Sequence, residues 1–160
     1  MKRDISIMIG NTKFNYRVGV IMEYKGKVII EKGDKVDFGV IPGGRVMTGE
    51  DTKTALIREI NEEMHFDISK KRITLCHVIE NFFRMNKRNY HELYFVYELK
   101  LDDRDEIVHK KKDDFINYDS ECNYYEFIDI DKLENEQIKP IVLKDIIKKR
   151  KLGRTVVRDI

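Results

Sequence analysis

The chain has 160 residues, 41% hydrophobic and 38% charged, with 31 Lys and Arg against 29 Asp and Glu for a net charge of +2. One core and one domain over residues 1–160 are expected from that length and apolar content, and so balanced a charge argues against a dedicated nucleic-acid binder, which needs a concentrated basic surface. The chain contains no apolar run of about 18 residues, which predicts no membrane-spanning helix; "MKRDISIMIGN" is too short and polar for a signal peptide; and Cys76 and Cys122 lack metal or disulfide spacing, pointing to a cytoplasmic protein with reduced thiols.

The first third reads as β-structure. "DISIMI" and "KFNYRVGVIMEY" flank the turn "GNT", and "KGK" links onward into "VIIEKG". "DFGVIPGG" reads as a short strand ending in Pro42, Gly43 and Gly44, a turn that frees the backbone for close approach to a ligand. From about Asp51 to Met64 the period changes. Leu56, Ile57, Ile60 and Met64 fall on one side of a helix, started either by a Thr48–Asp51 capping box or by Asp51 as the N-cap itself. Beyond it, "RITLCHVIENFF" and "NYHELYFVYELKL" read as a hairpin around "RMNKRN". "DDRDEIVHKKKDD" is a polar loop, "YYEFIDI" a strand, "DKLENEQIKP" a short helical turn and "IVLKDIIKKRK" a last helix, whose basic run Lys144–Arg154 reads as a solvated face. Strands with two helices between them predict an α/β (α+β) fold, a mixed sheet packed between helices.

The chemistry concentrates in the first helix. Glu59, Glu62 and Glu63 lie three and four positions apart, so they share one face spanning about 100° beside the apolar arc. Like charges so placed repel by a few tenths of a kcal/mol each; a divalent cation reverses that sign. Oxygen-only ligands suit Mg²⁺ or Mn²⁺.

The spacing around them is specific: Gly44, five residues, Glu50, seven residues, Arg58-Glu59-Ile60, one residue, Glu62-Glu63, then Phe66. This resembles the Nudix box of the Nudix (MutT-like) hydrolases, over residues 44–66, and the order of strands around it is similar to the Nudix fold, an α/β/α sandwich. One position departs: His65 stands where the family has glycine. That glycine ends the helix in a left-handed conformation, which His adopts at a cost of about 1 kcal/mol.

The resemblance implies a Mg²⁺-dependent hydrolase (Mn²⁺ as substitute) that cleaves a diphosphate bond in a nucleoside diphosphate linked to another group. It implies Glu59, Glu62 and Glu63 as metal ligands with the backbone carbonyl of Gly43, and an ion pair of Glu50 with Arg58 that orients Glu59. Many members add a carboxylate in a loop before a late strand. Glu121, six residues before Phe127 in "SECNYYEFIDI", is the candidate here, with Glu80, Glu92 and Glu126 as competitors. Arg84, Lys87 and Arg88 are candidate phosphate contacts, and family analogy implies a homodimer. A second reading is a Nudix-fold module that senses a nucleotide without cleaving it; binding modules often lose such glutamates, and here all three are present. Which glutamate is the base, and which nucleotide is the substrate, stay open.

Overall fold

A computed structural model describes residues 3–159. Its strands are β1 (Ser6–Ile9), β2 (Thr12–Tyr24), β3 (Lys27–Gly33), β4 (Gly43–Arg45), β5 (Thr74–Met85), β6 (Arg88–Lys100), β7 (Asn123–Asp129) and β8 (Gly153–Asp159); its helices are α1 (Thr52–Met64) and α2 (Val142–Lys149). The strands form one mixed sheet in the order β7-β3-β2-β6-β5-β8, with β1 and β4 also paired to β2. Most pairings are antiparallel, but β2 runs parallel to β6 and β5 to β8.

Local chemistry explains the turns. The two-residue links Lys25-Gly26 and Asn86-Lys87 all have positive φ, the twist that a tight antiparallel hairpin requires. The sheet has an apolar core on each face. Val18, Val20 and Met22 of β2 pack with Ala55, Leu56, Ile60 and Met64 of α1. The intervening Ile21, with Val28, Ile30, Tyr94 and Val96, packs with Leu143, Ile146 and Ile147 of α2. Alternation along the strands thus builds the mixed sheet between helices expected of an α+β chain.

Three details refine the sequence reading. Asp51 is the N-cap of α1, its carboxylate accepting from the backbone N–H groups of Lys53 and Thr54, both at 3.0 Å; Thr48 lies outside the cap. Residues 37–42 make only isolated bridges, and the strand β4 begins at Gly43 rather than ending there. The C-terminal run forms the last helix, α2, as expected, but a strand with no counterpart in the sequence reading, β8, follows it and docks beside β5. The basic run is the solvated face expected, with Lys148, Lys149, Arg150, Lys151 and Arg154 exposed; Lys148 pairs with Glu134 at 2.9 Å and Arg150 with Glu23 at its surface, and Lys144 alone is buried, donating to the Glu134 carbonyl at 3.3 Å. Cys76 is a buried free thiol in the core, pushed up to about 11 by that burial, and Cys122 is free as well. Among the described residues, no helix is long and apolar enough to cross a membrane.

His65 closes α1 in the left-handed conformation, φ 50° and ψ 40°. Its ring stacks on Tyr118, 3.7 Å between centroids and 8° from parallel. The stack offsets the backbone cost, since aromatic pairs contribute about 0.5–1.5 kcal/mol against about 1 kcal/mol for the conformation. His65→Gly is therefore expected to change unfolding free energy by less than about 1 kcal/mol, while raising backbone mobility around Tyr118. Denaturant unfolding and amide exchange of residues 117–121 measure the two effects.

Candidate active site

The site is built on α1 and on the strand that approaches it. Gly43 has φ +151°, and a side chain there would strike the backbone of Val18 and Gly19 on β2. Gly44 lies directly against the Glu59 carboxyl group, where any Cβ would fall. Two successive glycines thus let β4 lie flat on β2 while α1 rests its acidic face on β4.

Arg58 organises that face. Its Nε donates to Glu50 Oε1 at 2.8 Å and its Nη2 to Glu50 Oε2 at 3.0 Å, a bidentate pair. Nη1 donates to Glu59 at 2.8 Å and to Glu62 at 3.0 Å, and Nη2 also reaches the Arg45 carbonyl at 3.0 Å. The Glu50 side chain is only 2% exposed and also accepts from the Met47 N–H at 2.9 Å. Hydrogen bonding to Glu50, above all, keeps the Arg58 guanidinium firmly charged.

Glu63 lies deeper. Burial first, then the carboxylates of Glu31 and Glu59, push its carboxyl up to about 8. The Tyr125 hydroxyl donates to it at 3.4 Å, and its backbone carbonyl accepts from the Tyr118 N–H at 2.9 Å. Burial raises Glu59 as well, with Arg58 pulling it back. Glu31 is a buried carboxylate on β3, held by the side-chain amides of Asn117 at 2.9 Å and Asn123 at 2.7 Å. Asp119 adds a further negative charge beside Glu63 and Tyr125, its N–H turned onto Asn117 Oδ1 at 2.8 Å. Sequence reasoning missed both acids. Glu31 had a signal, a single charge ending the apolar run Val28-Ile29-Ile30; Asp119 had none.

The other predicted positions scatter. Glu121 is exposed in the loop before β7, as is Asp119 two residues earlier, and of the two it is Asp119 whose charge raises the Glu63 carboxyl. Glu80 pairs with Arg154, and Glu126 pairs with Lys32 at 3.0 Å. Glu92 is buried between β2 and β5, lining a cleft at the start of α2 together with Arg84; Lys87 and Arg88 stay on the exposed hairpin tip.

The donor set fits a hard divalent cation in kind. It is all oxygen, it crowds Glu59, Glu63 and Glu31 closely enough to raise the Glu63 carboxyl, and one of its members is cradled by Gly44. With Arg58 holding Glu59 and Glu62, no three acidic, His or Cys side chains among the described residues gather closely enough to hold an ion as they stand.

Comparison with known proteins agrees with the architecture. Three similar structures are a mutator MutT protein from Bacillus halodurans (TM-score 0.66, 15% identity, 90% of each chain covered), a MutT protein from Methanosarcina mazei Go1 (0.58, 15%, 85% of this chain and 91% of that one) and the Ap4A hydrolase of C. elegans (0.57, 15%, 86% and 96%). At such identities they speak for the fold alone. No curated protein matches the chain in sequence. The model of the NUDIX domain, however, matches residues 13–146, most of the chain and all of the acidic helix. The chain belongs to the Nudix family, hydrolases that act on acid anhydrides.

Proposed function

We propose that the protein is a Mg²⁺-dependent pyrophosphohydrolase of a nucleoside diphosphate linked to a further group. One observation carries the reading: Arg58 binds Glu50, Glu59 and Glu62 at once, beside a Glu63 that burial and neighbouring acids leave short of positive charge. Glu59, Glu62, Glu63 and the Gly43 carbonyl would hold the ion. Bound there, it supplies charge neutralisation of the diphosphate and acidification of a water. The chain's own residues do the rest. Glu50 fixes Arg58, and Arg58 fixes the orientation of Glu59. Glu63, protonated more readily than an ordinary carboxyl without the ion, would give up that proton on binding it, and an acid beside the ion would take the proton of the attacking water. Asp119 is a stronger candidate than Glu121 for the acid outside the box, because its charge is felt at Glu63.

The test is a panel of nucleoside triphosphates, dinucleoside polyphosphates, nucleotide sugars and ADP-ribose, incubated with Mg²⁺ and followed by product identification. Cleavage of a diphosphate bond in at least one, abolished by EDTA, is the expected result. Tight nucleotide binding with no turnover anywhere in the panel would point to a sensor instead. No other reading is favoured by a specific observation.

A further inference from the structure

On the sheet face that α2 covers, at the N-terminal end of that helix, lies a cleft of about 370 Å³, a size that suits one planar ring system. Phe38, Phe83 and Tyr90 contribute aromatic walls. Arg45 also lines it, and the carbonyl of Arg45 is the one that Arg58 grips, so one residue of β4 touches both the cleft and the acidic helix across the sheet.

Its most unusual feature is a row of polar side chains across three adjacent strands. Glu92 of β6 is the register partner of Asn15 on β2 and of Asn81 on β5. All three are buried. The Asn15 amide donates to Glu92 Oε1 at 3.1 Å and the Asn81 amide to Oε2 at 3.3 Å. Glu92, which can only accept, turns the Asn15 amide nitrogen toward itself, and the Asn15 carbonyl oxygen accepts from Ser6 Oγ at 2.7 Å. Both carboxylate oxygens are thus locked in place, each with one lone pair committed to an asparagine and further acceptor capacity unused. Arg17 sits beside them, Nη1 3.7 Å from Oε1, and its Nε is a buried donor with no hydrogen-bond partner. Leaving such a donor unmet is costly in a finished core. The Arg17 side chain as a whole is 30% exposed and lines the cleft, so its outer nitrogens are the ones a ligand can reach.

We infer that this row reads a 2-amino-4-oxopyrimidine edge, the one carried by guanine and by pterins. The inference rests on the nucleotide-hydrolase reading only for the expectation of a nucleotide-type substrate. Two locked acceptors flanked by a cationic donor call for two adjacent N–H donors flanked by an oxygen. Guanine offers that set through its ring N–H, exocyclic amine and carbonyl. Adenine places an acceptor beside its amine, cytosine offers one donor beside two acceptors, and uracil has a single N–H between two carbonyls. Glu92 is a specificity residue in this scheme, Asn15 and Asn81 position it, and Arg17 meets the ligand's oxygen.

The test is equilibrium binding of 5′-monophosphates, which contain no diphosphate bond and so report recognition without turnover. GMP is expected to bind about 10-fold more tightly than IMP, which lacks only the exocyclic amine, and about 100-fold more tightly than AMP or UMP. Glu92→Gln keeps the shape but loses one acceptor, and it should bring GMP to within about 2-fold of IMP. If that variant does not fold, the GMP and IMP comparison on the unaltered protein decides alone. Guanosine against neopterin separates the two sources of the edge, tighter guanosine marking a guanine nucleotide and tighter neopterin a pterin. Binding of AMP or UMP as tight as GMP, or no binding of GMP, overturns the inference even if hydrolysis is found. A guanine preference without hydrolysis of any diphosphate overturns the proposed function and leaves this inference standing.

Discussion

Replacing Arg58 by alanine is expected to destabilise the protein by about 3 kcal/mol, near the lower end of the range for stripping one partner from a buried ion pair. Glu50 is the reason. Its side chain is 2% exposed, and Arg58 supplies the bidentate counter-charge. The estimate sits low in the range because Arg58 itself keeps 20% of its side chain exposed. The same change frees Glu59 and Glu62 from Arg58 Nη1, and turnover on any substrate identified by the panel should fall about 10- to 100-fold through loss of orientation. Lysine should rescue little of either, because a single ammonium cannot span both oxygens of Glu50 while also reaching Glu59 and the Arg45 carbonyl. Denaturant midpoints and kcat/KM of the alanine and lysine variants provide the check. An alanine variant with native stability and native turnover would show that the network is incidental.

Glu63→Gln should separate stability from activity in the opposite sense. In the metal-free protein the Glu63 carboxyl is pushed up to about 8, from an ordinary 4.5, by burial and then by Glu31 and Glu59. Between those two values the folded state holds a proton that the unfolded chain has released. Stability therefore falls as pH rises through that window and is greatest on its acid side. A glutamine is neutral at every pH, so the variant in EDTA should lose that slope and melt higher than the unaltered protein at pH 8 or above. Added Mg²⁺ should raise the melting temperature of the unaltered protein more at pH 8 than at pH 6, because binding must displace the proton. Turnover of the variant should drop by about 10²- to 10³-fold, the usual size for loss of a charge placed at the reacting centre. Thermal melts across pH 5–9 with and without Mg²⁺, alongside steady-state rates, check both halves. A variant that melts lower than the unaltered protein at pH 8 and turns over normally would remove Glu63 from the site.

The parts of this molecule legible in the sequence are those in which short-range chemistry decides. The period of α1, the turns at Gly10-Asn11 and Lys25-Gly26, and the fixed spacing of Glu50, Arg58, Glu59, Glu62 and Glu63 are local patterns, and the elements stand close to where those patterns put them. What escaped depends on partners far away in the chain. β8 is a short run after a basic helix, and only docking against β5 makes it a strand; His77, buried on β5, ties it there by bonding Thr155 Oγ1 at 2.8 Å and the Lys151 carbonyl at 3.0 Å. Glu31 looks like the polar end of a strand until Asn117 and Asn123 close over it. Asp119 and Glu121 are alike as letters and both are exposed; the turn in which the Asp119 N–H bonds Asn117 Oδ1 is what sets the Asp119 charge near Glu63. Glu92 gains its meaning from the register that sets Asn15 and Asn81 on either side of it.

The cleft at the start of α2 takes one wall from Lys13, Asn15 and Arg17 on β2 and another from Val157 and Asp159 on β8. Those segments lie nearly the whole chain apart, with β6 and β5 between them in the sheet. Contacts of such separation carry a large loop-closure cost until the strands between them are ordered. A chain emerging from synthesis therefore owns its acidic helix long before it owns a cleft. Until β8 brings Val157 and Asp159, the groups of β2 face a cleft that lacks one of its walls.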